Sequence, residues 1–381
     1  VDRHGPHLVR MSDNILDMKY FKTVLPALGE SKRTTLFCET KANLTRDQVR
    51  LLAEARFNAI QPGLESLSDE SLRLMNKGTT KLQNVQLLRW CAEYGVGVLW
   101  NYLLGFPGEK DDELPGIADE AELLHHLPPP RNFGVLRVDR FSPYHSDPDA
   151  YGIGPIYPKS AYRHIYPFPA ESVARLAYDF WSDLLVRKSS GPGLGTVEKM
   201  VRRWRRAHGR SFLFAVPRRK SLLVIDTRRC ARRPIHRLKG LRRSVHEYCD
   251  RGRSLGDITH GLGTTASPEA VQKAVASLVR DRLLLATGNR YLSLAVDPGR
   301  KLTVENALTG STTGLLDAPP VAPEDRSRLL RSPWKAIRRL EVGLRRHRRR
   351  RRHRWKRRAV MALVRLLHER GEPESSVPEP S

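Results

Sequence analysis

The sequence predicts an α/β fold: a parallel part-barrel of βα units, then a small winged-helix-like module, then a basic tail. Three observations carry this expectation. Short strand-like runs alternate with helical patterns over the first 145 residues, as βα units do. Several of those runs are apolar almost throughout, as strands covered on both faces must be. The charge is also divided. Residues 1–190 carry 23 Lys/Arg against 24 Asp/Glu, and the remaining 191 carry 44 against 17, which gives the net charge of +26.

Taken in order, "HLVRM" precedes the helical "YFKTVLPAL", and "TTLFCE" precedes "TRDQVRLLAEA". "NAIQPG" leads into "SDESLRLM" and "NVQLLRWCAEYG"; "VGVLWNYLLG" and "FGVLRVDRF" complete five strands. Leu51, Leu52, Ala55 and Phe57 mark one apolar flank, and Leu87, Leu88, Cys91 and Tyr94 another. Residues 1–145 are thus a partial barrel, with function expected at the strand C-terminal ends. Residues 146–190 form an extension rich in Pro, Gly, Tyr and His over the barrel mouth, ending in a helix at "AESVARLAYDFWSDLL". Residues 191–209 open on Gly and Pro and read as a linker.

Within 210–297, "SLLVID" reads as a strand, and Leu238, Leu241, Val245 and Tyr248 as a helix face. Leu255, Ile258 and Leu262 mark a second helix, and Ser267-Pro268-Glu269 starts a third with an N-cap, a first-turn proline and an acid. Gly288-Asn289 between apolar runs signals a hairpin. Residues 298–381 form a largely disordered basic tail, in which "AVMALVRLLHER" is amphipathic enough for a surface helix.

Cysteines at 38, 91, 230 and 249 have no C-x-x-C spacing, which excludes a disulfide framework and leaves no metal site to predict. No apolar run reaches about 18 residues, so neither a signal peptide nor a membrane span is expected, and a cytoplasmic location is. "LLGFPGE" has neither G-x-G-x-x-G nor a Walker lysine. His125 and His126, beside three prolines, read as a solvent-facing helix end.

The candidate site comes from the strand ends. Asp13 follows the first strand, Glu39 the second, Gln61, Gly63 and Glu65 the third, and Asn101 the fourth. Each alone is also what an ordinary turn needs. At corresponding places in successive βα units, they predict one ligand laid across the strand ends. Gly63 permits close approach or a positive φ. Ser68 to Glu70 already makes a good helix start, so Glu65 is not needed as a cap. No catalytic residue is predicted.

"SDNILDMKYF", "CETKANL", "IQPGLESLSDESLRLMNKGTT", "WNYLLGFPGE" and "RFSPYHSDPDAYGIGPIYP" occur in one order that resembles the radical SAM superfamily. They are most similar to its cobalamin-dependent C-methyltransferases that mature ribosomally synthesised peptides. The resemblance implies a TIM-type barrel binding S-adenosylmethionine. It places Gly63, Glu65 and Ser66 on a G-x-x-E-type motif with the Glu near the ribose. It also implies that Asn101 contacts the same ribose, Glu39 lies near the methionine end, and Lys77 pairs with the methionine carboxylate. Ribose hydroxyls need acceptors, and the carboxylate and ammonium need opposite charges. The family's C-x-x-x-C-x-x-C does not occur in this sequence. A [4Fe–4S] cluster and cobalamin are therefore expected only with a missing N-terminal portion or a separate subunit. Alone, the chain is expected to be incomplete or inactive.

A winged helix with basic flanks suggests nucleic acid, whereas the resemblance implies a precursor peptide added as a strand to a sheet edge. The run at 345–358 holds ten Arg, one Lys, two His and a Trp, and suits RNA, an anionic membrane, an acidic peptide or plain solvation. The competing function is a catalytically inactive, degenerate barrel whose basic winged helix grips peptide or nucleic acid.

Overall fold

The computed structural model describes residues 8–28, 35–263 and 266–297. The expected basic tail over 298–381, with its 345–358 run, lies outside the described residues. The described residues divide into two compact units. One holds residues up to His208 except 92–95, and the other holds 92–95 with the residues from Gly209.

The first unit begins β1 (Leu8–Arg10), α1 (Val24–Leu28), β2 (Thr35–Thr40), α2 (Arg46–Glu54), β3 (Phe57–Pro62), α3 (Asp69–Leu74) and α4 (Lys81–Tyr94). It continues with β4 (Gly97–Val98), β5 (Asn101–Leu104), α5 (Leu114–Glu120) and β6 (Asn132–Val135). β1 to β4 are neighbours in sequence order and all parallel, and β5 pairs β6 in parallel. An isolated parallel bridge from Glu65 to Tyr102 connects the third strand's end to β5. The five expected strands are present, with "VGVLWNYLLG" divided between β4 and β5.

Local chemistry explains the elements. Thr45 and Gln48 form a capping box that starts α2, and Ser68 accepts from the Ser71 amide to start α3. Leu36, Phe37 and Cys38 are buried in succession, which requires cover on both faces of β2. Val85, Leu88 and Cys91 of α4 are wholly buried.

The 146–190 extension differs from its reading. The single helix expected over "AESVARLAYDFWSDLL" is α8 (Ala170–Leu176), β9 (Asp179–Trp181) and the start of α9 (Asp183–Ser190). Ser182 caps α9, so the chain breaks where a hydroxyl replaces a helix-former. Before these come β7 (Val138–Asp139), α6 (Pro143–Ser146), β8 (Tyr157–Pro158) and α7 (Ala161–Ile165); β9 pairs antiparallel with β7 and β8. Phe106, Leu136, Val138, Ile153, Ala177, Phe180 and Leu185 form one buried cluster that roots the extension.

The expected linker at 191–209 is instead α10 (Pro192–Ala207). Pro192 sits in its first turn, where a missing amide costs nothing, and Gly193 is needed because a Cβ would lie 3.0 Å from Asp111 and Leu114. The residues that look like breakers are a helix start packed tightly on its neighbours. Val197, Met200, Val201 and Trp204 are buried, and the Trp204 indole donates to the Leu127 carbonyl at 2.8 Å. His125 and His126 are buried as well, 6% and 9% exposed, which corrects their solvent-facing reading. The His125 ring lies 6.2 Å from that of Trp204.

The second unit opens with β10 (Leu213–Arg218), β11 (Ser221–Asp226) and β12 (Ile235–Leu238), an antiparallel sheet of which the sequence suggested only β11. Then follow α11 (Gly240–Tyr248), β13 (Arg253–Ser254), α12 (Leu255–Leu262), α13 (Pro268–Arg280), β14 (Leu284–Thr287) and β15 (Arg290–Ser293). The last sheet has the order β13-β15-β14, and its hairpin turns at Gly288-Asn289. Leu238, read as part of a helix face, belongs to β12. No helix among the described residues is long and apolar enough to cross a membrane.

Candidate functional site

Parallel register brings the strand ends together. Glu39 of β2 is the neighbour of Gln61 of β3, and the amide of Leu16 donates to the Glu39 carbonyl at 2.8 Å, laying the segment after β1 alongside. Beyond Pro62 the chain makes two tight turns, Leu64 N–H to Pro62 O and Ser66 N–H to Leu64 O, both 2.8 Å. Between them Glu65 rejoins the sheet: its carbonyl accepts from Leu103 at 2.8 Å, and it bridges Tyr102. Asn101 is therefore one position from Glu65's partner. Its Oδ1 accepts from Asn132 Nδ2 at 3.2 Å across β5 and β6, leaving its own amide N–H groups to donate.

Glu65 adopts φ 60°, a left-handed conformation that costs a side-chain-bearing residue about 1–2 kcal/mol. Its Oε1 lies 3.4 Å from the Lys77 ammonium. Gly63 lies against both groups. A Cβ there would sit 3.2 Å from Lys77 Nζ and 3.5 Å from Glu65 Oε1. Burial holds the Glu65 carboxyl above its ordinary range; Lys77 pulls it back and the Glu39 charge pushes it up further. A carboxylate, an ammonium and a second carboxylate thus gather where a backbone has been kept bare.

A buried layer supports this loop. Ser66 is wholly buried, its Oγ accepts from the Ser68 amide at 3.1 Å, and it hydrogen-bonds Tyr102, whose hydroxyl burial pushes up to about 12. The side chain of Ser66 supports the loop from within. Asn84 Nδ2 donates to the carbonyls of Leu64 and Ser66, each at 2.9 Å. Glu109 accepts from Ser71 Oγ at 2.6 Å and from the amides of Gly105 and Phe106, tying the "GFPGE" turn to α3.

Of the predicted residues, the structure gathers Glu39, Gln61, Gly63, Glu65, Lys77 and Asn101. Asp13 is exposed, and among the described residues no hydrogen bond or ion pair joins it to the others. Sequence reasoning missed Asn84 and Glu109. The available signal for Asn84 was an amide on the apolar stripe of α4, one turn before Leu87 and Leu88.

Among the described residues no three His, Cys, Asp or Glu side chains are grouped to hold a metal. The four cysteines are buried and lie far apart in the sequence, without the spacing that holds a cluster, and burial pushes the Cys38 and Cys249 thiols up to about 12. A sulfonium nucleoside with an amino-acid end is a different matter: Glu65, Lys77 and the bare Gly63 backbone match its hydroxyls, its carboxylate and its bulk.

Residues 6–121 match the sequence profile of the radical SAM superfamily. Among solved structures, the chain is similar to the cobalamin-dependent S-adenosylmethionine radical enzyme OxsB with aqua-cobalamin bound, at 19% identity, covering 30% of this chain and 19% of that one with a TM-score of 0.27. It is also similar to the radical S-adenosylmethionine methyltransferase TsrM from Kitasatospora setae, with cobalamin and a [4Fe–4S] cluster bound. There the identity is 16% over 52% of this chain and 43% of that one, with a TM-score of 0.40. The chain thus spans less than half the length of either. No curated protein matches.

Proposed function

We propose that the strand ends carrying Glu39, Glu65 and Asn101, with Lys77, bind S-adenosylmethionine in a radical SAM-type enzyme that modifies a ribosomally synthesised peptide by cobalamin-dependent C-methylation. The observation that carries this reading is Glu65: it is held at φ 60°, with its carboxylate beside Lys77 and both groups lying against Gly63. Bound S-adenosylmethionine supplies a transferable methyl group or, on reductive cleavage, a 5′-deoxyadenosyl radical. The chain's own part is positioning. Glu65 accepts from the ribose hydroxyls, and Asn101 donates with the amide face that Asn132 leaves open. Lys77 turns from Glu65 to the ligand's carboxylate, and Glu39 faces its ammonium. The cluster and cobalamin would be held by polypeptide outside these residues.

The peptide partner is assigned to β12. Its register on β11, with Asp226 N–H donating to Pro234 O at 2.9 Å, directs the backbone groups of Ile235 and Arg237 away from the sheet. The opposite edge is closed, because Ala215 donates to Val296 O and Val296 to Leu213 O. Ile235 is exposed, as are Arg232, Arg233, Arg237 and Lys239, so the open edge suits an extended peptide with acidic side chains.

Affinity for S-adenosylmethionine tests the site. Glu65 must be ionised to accept twice, and its carboxyl is held above the ordinary range. Calorimetric affinity should therefore fall as pH drops through a midpoint above that of an exposed glutamate, about 4.3. Lys77→Met should weaken binding roughly tenfold and move that midpoint higher, since Lys77 is the group that lowers it. Affinity that is flat with pH and indifferent to Lys77 would return both residues to loop structure. Absent affinity together with steeply salt-dependent nucleic-acid binding would favour the degenerate-barrel alternative.

A further inference from the structure

We propose that Asn84 is the positioning residue of this site, acting through Glu65; the inference rests on the reading of Glu65 as the ribose acceptor. Asn84 lies one turn into α4 and is wholly buried. Its amide nitrogen meets the carbonyl oxygens of Leu64 and Ser66, the residues on either side of Glu65, each at 2.9 Å. The chemistry fixes which way the amide faces, because its oxygen turned toward two carbonyl oxygens would be repelled by both. Both of its N–H donors are therefore spent on one short stretch of backbone.

That stretch is the one that needs holding. A left-handed glutamate is strained, and the two tight turns around it leave carbonyls pointing into the protein, away from water. Asn84 satisfies the Ser66 carbonyl, adds a second donor to the Leu64 carbonyl that already accepts from Ser66 N–H, and pins both flanks of the strained residue to a helix. The helix is itself fixed at its start, where the Lys81 amide donates to Asp69 Oδ1 at 2.6 Å and the Lys81 ammonium pairs with Glu120 at 2.7 Å. Leu103 holds the Glu65 carbonyl from the other side. Glu65 is thereby clamped from α4 and from β5, with its carboxylate left to face Gly63 and Lys77.

Asn84 also carries a cost that packing alone would not retain. Its Oδ1 is buried without a hydrogen-bond partner among the described residues, on a helix face otherwise occupied by Val85, Leu88 and Cys91. A leucine would suit that face and leave no orphaned oxygen, but it would release the Ser66 carbonyl and leave Leu64 held only by its own turn. What the amide contributes is the geometry of residues 64–66.

The test is a double-substitution cycle in the full chain, read as the dissociation constant for S-adenosylmethionine by equilibrium dialysis. Glu65→Gln and Asn84→Ala should each weaken binding by about tenfold. Together they should do no worse than Glu65→Gln alone, because Asn84 has nothing further to position. Full affinity in a folded Asn84→Ala chain, or an equal loss in both backgrounds, would overturn the proposal. A stability measurement covers a chain too unstable to titrate. In the Glu65→Gly background residue 65 takes its φ without strain, so Asn84→Ala should cost at most half the loss in thermal midpoint that it causes in the parent. An equal loss in both backgrounds would overturn the clamp. Unchanged affinity in Glu65→Gln would sink the ribose reading instead, and would leave the stability arm standing.

Discussion

Glu65→Gly is expected to give a more stable protein that has lost its ligand. Glycine takes φ 60° freely, so the substitution relieves about 1–2 kcal/mol of backbone strain, partly offset by the greater freedom of glycine in the unfolded chain. A net gain of about 1 kcal/mol should appear in urea denaturation. The pH dependence has a defined sign. The Glu65 carboxyl is raised in the fold, so between its unfolded and folded values the native state holds the extra proton, and stability falls as pH rises through that window. Removing the carboxyl should therefore stabilise more at neutral pH than in acid. Binding should move the other way, with S-adenosylmethionine losing roughly 10- to 100-fold in affinity as a charge-assisted acceptor worth about 1.5–3 kcal/mol disappears. A residue kept at the expense of stability is the signature of a site. A loss of stability with unchanged affinity would mark Glu65 as scaffold.

The largest change in stability is expected in the second unit. Asp226 and Arg228 are both fully buried and joined by Nε–Oδ1 at 2.9 Å and Nη2–Oδ2 at 2.7 Å, and the guanidinium also donates to the Arg282 carbonyl at 2.6 Å. Arg228→Met leaves Asp226 as an uncompensated buried charge and should cost about 3–5 kcal/mol. Arg228→Met combined with Asp226→Leu should recover most of that loss, because apolar replacement of a whole buried pair is close to neutral. Asp226 ends β11 and its amide fixes the register of β12. Arg228→Met should therefore also weaken an acidic peptide at that edge, and the double substitution should restore it. A single substitution costing under about 1 kcal/mol would show that the pair is not what organises this corner.

The parallel sheet was legible because its strands are short, apolar and punctuated by capped helices, and such local signals act within a few residues. The misread segments share a different cause. At 191–209, Pro192 and Gly193 are breakers in isolation, and only the closeness of Asp111 and Leu114 shows that they start a packed helix. At 125–126 the histidines are buried, and the His125 ring meets Trp204 of α10, an element far downstream that sequence spacing does not reveal. The convergence of Glu39, Gly63 and Glu65 was legible because strand ends meet in any parallel α/β fold. The burial of Ser66 under the loop was not, since neighbouring residues of a tight turn face opposite ways. Asn84 and Glu109 went unread because their partners, the backbone of residues 64–66 for one and Ser71 with the 105–106 amides for the other, come together only in the fold.

Equilibrium dialysis of radiolabelled S-adenosylmethionine against the parent chain, Glu65→Gln and Glu70→Gln decides whether Glu65 holds the ligand. Glu70 is a neighbouring carboxylate spent on Arg73 at the protein surface. Saturable binding is expected to the parent and to Glu70→Gln, with binding at least about tenfold weaker to Glu65→Gln. Equal binding by all three proteins, or none by the parent, would contradict that role.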